Sequence, residues 1–121
     1  MYQVIYQKDN KIELGLSDHL TQDDFIQIIH QLESLCSSHA KINVLLDASD
    51  LENYEARIFL DEYDFYKKYK KSLNRVAIVS DRKFESYILD QFNKFSDTEF
   101  KSFTPKNVEE ARKWIFPSKL P

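Results

Sequence analysis

Ile42-Asn43-Val44-Leu45-Leu46-Asp47 decides the fold. Apolar side chains fill four of its first five positions without strict alternation, which suits a strand buried on both faces. Val76-Ala77-Ile78-Val79 repeats the pattern downstream. Strands covered on both sides need helices above and below them, and the flanking sequence supplies helical patterns. Upstream, Thr21-Gln22-Asp23-Asp24 has the form of a capping box, with aspartate making a shorter reach than glutamate. Phe25, Ile28, Ile29, Leu32 and Leu35 follow it at helical spacing, and the helix should end near Ser37-Ser38-His39.

Farther out, Tyr2–Lys8 and Lys11–Leu16 read as a hairpin turning at Asp9-Asn10, two residues that tolerate left-handed backbone. In the second run Ile12, Leu14 and Leu16 alternate with Lys11, Glu13 and Gly15, which predicts a half-buried strand. After the central strand, Asp47–Asn53 reads as a polar, acidic loop, and Tyr54–Lys71 as a long helix. Ser80-Asp81 then caps a helix carrying Phe84, Tyr87, Ile88, Leu89, Phe92 and Phe95. Glu99–Phe103 alternates as a strand, and Asn107-Val108-Glu109-Glu110 opens a last helix that Pro117 stops. The order β-β-α-β-α-β-α-β-α predicts a single α/β domain over residues 1–121. Its sheet is mixed, of four to five strands, with four helices.

Composition excludes more functions than it nominates. The chain has 121 residues and one glycine, Gly15, where average usage would give about eight. That removes the glycine-rich dinucleotide fingerprint, the P-loop and the nucleophile elbow. One cysteine, Cys36, removes internal disulfides and thiolate-rich zinc sites. His19, His30 and His39 lack metal-ligand spacing, so no metal or other cofactor is expected. A net charge of −3 exerts no global pull toward nucleic acid. Neither a signal peptide nor a membrane span is visible, and a lone cysteine suits a reducing compartment, so the expected location is cytoplasmic.

Candidate chemistry concentrates after the central strand. Asp47 and Asp50 lie where open α/β sheets bind ligands, beyond a strand's carboxyl end. Capping and solvation explain them without catalysis, because no nucleophile, anion cradle or oxyanion donor accompanies them. Cys36 has His39 three residues on, yet reads as a semi-buried thiol rather than an activated one. The Tyr54–Lys71 helix carries six aromatics in 16 positions, with Phe59, Tyr63 and Tyr66 on one stripe and Ile58, Phe65 and Tyr69 pointing elsewhere. Such an excess is a broad core face, a pocket lining or an interface. Charge also segregates: residues 47–64 hold seven acids against one arginine, and residues 67–83 seven bases against one aspartate. Lys67-Lys68-Tyr69-Lys70-Lys71 either serves the helix's negative end or meets phosphates or an anionic membrane surface.

The landmarks together resemble the SpoIIAA-like family, which is related to STAS domains. They are Leu20-Thr21-Gln22-Asp23-Asp24-Phe25, Ile42–Asp47, Asn74–Asp81, Phe103 and Glu110–Ile115. The resemblance implies a small α/β domain similar to STAS and lipid-exchange folds, and a regulatory role rather than an enzymatic one. The founding relative is phosphorylated on a serine near the start of the helix after the central strand. Ser49, within Asp47-Ala48-Ser49-Asp50-Leu51-Glu52, is the hydroxyl available there, though the Asp-Ser-Ser-Gly-like signature is absent and the neighbouring acids would repel a phosphate. The preferred expectation is therefore a non-enzymatic module that binds a protein partner or itself. The alternative is a carrier or sensor of an apolar, lipid-like molecule held between helix 54–71 and the sheet. Tyr54, Phe59, Tyr63 and Tyr66 form the candidate surface in either case.

Overall fold

A computed structural model describes residues 1–54 (for Tyr54 the backbone alone), 64–65, 67–81 and 98–117. Five strands form one sheet in the order β1-β2-β3-β4-β5: Tyr2–Lys8, Lys11–Leu20, Ile42–Tyr54, Leu73–Val79 and Glu99–Phe103. β1 runs antiparallel to β2, and the other neighbours are parallel, so the opening hairpin does make the sheet mixed. Asp9 takes the left-handed backbone of the hairpin turn, with φ 54°. Helix α1 spans Gln22–Ser38 and α2 spans Val108–Ile115, the latter after a single 3-10 turn at Pro105–Asn107. Residues 64–65 and 67–69 are helical within the expected 54–71 helix. The expected bounds are corrected at both ends: Tyr54 is the last residue of a strand, and Lys70 and Lys71 form a turn. Residues 55–63 and 66, and the helix expected over 84–95, lie outside the described residues.

The two helices take opposite faces of the sheet. Phe25, Ile28, Leu32 and Leu35 of α1 pack on Ile12, Leu14, Leu16, Ile42, Val44 and Val76. Ala111 and Ile115 of α2 pack on Leu45, Ala77, Val79 and Phe103. The alternation of Val44 and Leu45 between these cores is why β3 is apolar on both sides. At α1 the capping box forms as expected: Asp24 N–H donates to Thr21 Oγ1 at 3.0 Å and Thr21 N–H to Asp24 Oδ2 at 3.1 Å. Such a cap contributes about 1 kcal/mol. Each buried apolar side chain contributes roughly 1.5–3 kcal/mol, so packing is the larger force on this helix. Asn107 makes no side-chain cap bond, because the preceding 3-10 turn takes its backbone out of the extended conformation a cap needs.

Three local expectations are corrected. Asp47–Asn53 is not a loop: β3 continues through it to Tyr54. β2 likewise runs past Leu16 to Leu20, and Ser17, Asp18, His19 and Leu20 pair with Asp50, Leu51, Asn53 and Tyr54. A partner strand satisfies the backbone of this polar segment, and that outweighs its loop-like composition. The pairing of β3 with β4 ends at Asp47–Val79, so the β2–β3 ribbon extends beyond the rest of the sheet. Finally, β2 is not half-buried over its first turns. Glu13 is 2% exposed, because Arg112 of α2 covers its carboxylate.

Candidate functional site

The ribbon's end carries the polar groups that the sequence placed near the central strand's carboxyl end. Ser49 is exposed and its hydroxyl donates to Asp47 Oδ1 at 2.6 Å, while its backbone N–H reaches the same oxygen at 3.0 Å. Asp47 thus holds Ser49 in a local turn of hydrogen bonds on an extended strand. Asp47 caps the backbone N–H of Ser49 locally, and no helix starts at this point of the strand. Across the ribbon, the His19 imidazole meets the Asn53 side chain, and Asp18 sits in left-handed backbone at φ 56° beside a register shift. Asp50 and Asn53 are exposed. These groups form a polar, solvent-facing tip. Among the described residues no separate group is placed to stabilise charge developing at the Ser49 hydroxyl.

Of the candidate aromatic surface, Phe59, Tyr63, Tyr66 and the side chain of Tyr54 lie outside the described residues. Phe65 and Tyr69, which the sequence set apart from that stripe, face inward. Phe65 packs against the α1-side core and stacks on Tyr69 with ring centroids 4.9 Å apart. The Tyr69 hydroxyl donates to Glu33 of α1, and that bond pushes the phenol above its ordinary pKa. Lys68 stands 3.7 Å from the same carboxylate. Burial, and secondarily the Glu33 charge, raise the Cys36 thiol, partly offset by a bond from Ser72. His39 Nδ1 meets the Leu35 carbonyl of its own helix, at 3.3 Å. Cys36 and His39 therefore form no thiolate–imidazole pair. Among the described residues no three His, Cys, Asp or Glu side chains cluster to hold a metal ion.

Sequence reasoning missed the contacts that seat α2. Arg112 grips Glu13 through Nε at 3.0 Å and Nη2 at 3.0 Å, and also bonds Glu109. Asn43, 5% exposed, donates to the Ile115 carbonyl at 3.0 Å, and Arg75 donates to the Trp114 carbonyl at 2.9 Å. Two carbonyls of the last helical turn, which have no partner within a helix, are thereby satisfied by β3 and β4. The signal was present: Asn43 interrupts an apolar strand, and a polar residue there has to find a partner.

The sequence pattern of the SpoIIAA-like family matches residues 12–116, and the chain belongs to that family. The fold is similar to an uncharacterised protein with a SpoIIAA-like fold from Shewanella loihica PV-4. That likeness has a TM-score of 0.72 and 23% identity, covering 95% of this chain and 92% of that one. It is also similar to the anti-sigma factor antagonist SpoIIAA in its unphosphorylated form, with TM-score 0.62, 10% identity and coverage of 93% and 96%. The phosphorylated form of SpoIIAA, the Bacillus cell fate determinant, gives TM-score 0.60 and 10% identity over 92% and 98%. No curated protein matches the chain. Among the described residues, no helix is long and apolar enough to cross a membrane.

Proposed function

We propose that this protein is a non-enzymatic regulatory module that acts by binding a protein partner or a second copy of itself. Membership of the SpoIIAA-like family over residues 12–116 carries the proposal. The relative SpoIIAA is an anti-sigma factor antagonist, which acts on another protein. The polar ribbon end supports the same reading. It projects beyond β4 and presents exposed Ser49, Asp50 and Asn53 next to the chain leading to Phe59, Tyr63 and Tyr66. We place the partner surface there. Phosphate on Ser49 would remove the bond to Asp47 and set two anions together, so it would reshape this surface rather than decorate it.

The test is site-specific photo-crosslinking in the native host, with a benzophenone side chain at position 50, 59 or 63. A discrete second polypeptide, or a dimer of this chain, should be captured at those positions. The same probe at His30, on the exposed face of α1, should capture neither. Equal capture at His30, or none at the ribbon end, would sink the proposal.

A further inference from the structure

A row of cations crosses the sheet at the end opposite the ribbon. Lys8 and Lys11 pair across the hairpin turn. The Asn10 side chain donates to the Lys41 carbonyl at 2.8 Å, and Ile42 N–H donates to the Ser72 carbonyl at 2.8 Å, directly after Lys70 and Lys71. These bonds tie the amino ends of the parallel strands into one rim. With neighbouring strands about 4.8 Å apart, the row from β1 to β4 is about 15 Å long. Lys8, Lys41, Lys70 and Lys71 are exposed, and none is ion-paired among the described residues. Among the described residues, Asp9 is the carboxylate within the row from β1 to β4. Glu33 is engaged by Tyr69 and Lys68, and Glu99 stands 3.9 Å from Arg75.

A helix's negative end accounts for lysines in its own last turn and nowhere else. Lys8, Lys11 and Lys41 lie on the hairpin and before β3, so that explanation does not reach them. The row presents lysines, which are mobile point charges, rather than the rigid forks of arginine that select one paired geometry. A line of such charges across the end of a sheet suits many diffuse phosphates on a flat surface. The polar tip with Asp18, Asp47, Asp50 and Glu52 is at the far end of the strands, so the charge distribution also orients the molecule. We propose that this lysine rim docks the protein onto an anionic membrane surface, leaving the ribbon end facing away and open to its partner.

Co-sedimentation with phosphatidylcholine vesicles carrying about one-third phosphatidylserine tests this at about 0.1 M salt. The protein should pellet with these vesicles, remain free with pure phosphatidylcholine, and be released by high salt. Lys71→Gln should lower partitioning about five-fold, and Lys8→Gln, Lys41→Gln and Lys71→Gln combined should reduce it to background. Lys106→Gln, after the opposite end of β5, should leave it unchanged. Equal partitioning into both vesicle types overturns the proposal, as does an equal loss in Lys106→Gln. Binding to poly-glutamate without binding to vesicles replaces the membrane with an acidic protein partner.

Discussion

Glu13 and Arg112 stand 99 positions apart in the chain and are joined by a two-pronged ion pair beneath α2. The Glu13 side chain is 3% exposed and that of Arg112 37%, so the carboxylate depends on the guanidinium while the guanidinium still touches water. Hydrogen bonding to Glu13 drives the Arg112 pKa upward, against the opposing effect of burial. The pair ties α2 to β2, and with Asn43 and Arg75 it holds the last turn of the helix on the sheet.

Arg112→Met should therefore cost about 3 kcal/mol, because it strands a buried carboxylate. Glu13→Leu combined with Arg112→Met should recover most of that loss, since no charge is then left unpaired. Urea unfolding of the single and double variants measures both effects. A single variant as stable as the wild type would mean that water reaches Glu13.

Gly15 lies close under a side chain of the edge strand. A Cβ at that position would lie 2.8 Å from Ile5 Cδ1, the mobile tip of a side chain on the edge strand. Gly15→Ala should cost less than about 1 kcal/mol, because overpacking is mild where the neighbour can turn aside. The cost should vanish in an Ile5→Ala background, where thermal unfolding would show the two changes to be coupled rather than additive.

Asp24 predicts one limb of the acid transition. Burial pushes its carboxyl up, but the Thr21 backbone bond, the Met1 ammonium and the Thr21 hydroxyl outweigh that and hold its pKa below the ordinary value. A depressed folded pKa means the unfolded chain takes up the proton first. The stabilisation is thus complete above the ordinary carboxylate value of about 3.9 and fades as pH falls through the lower folded value. Asp24→Asn should lower stability at neutral pH and flatten the dependence below about pH 4. Parallel urea titrations at several pH values would reveal an unchanged acid limb if Asp24 plays no part.

Cys36 should alkylate more slowly than a free thiol at mildly alkaline pH, because burial and the Glu33 charge both disfavour its thiolate. Glu33→Gln should speed the reaction, and unfolding in urea should abolish the difference. A thiol that reacts faster than free cysteine in the native protein would contradict the raised pKa.

Most of the described elements were legible in the residues because their causes are local. Alternation and a tight turn mark the β1–β2 hairpin, Thr21 and Asp24 cap α1, and continuous apolar runs mark β3 and β4. The candidate site was less legible. Ser49 and Asp47 stood out as polar groups after a core strand, but their loop was in fact strand. Composition describes what a segment prefers alone; β2 supplies the hydrogen-bond partners that make Asp47–Asn53 extend.

What the sequence by itself determined is the order of the described strands and helices, and the need for helices on both faces of the sheet. Periodicity and capping act over three or four residues and need no distant partner. The tertiary structure alone decided that Glu13 is buried against Arg112, that Asn43 holds the end of α2, and that Lys8, Lys41 and Lys71 form one rim. Each of these depends on which strand lies beside which, and in what register. Those pairings are set by the burial of the whole core, and no single segment encodes them.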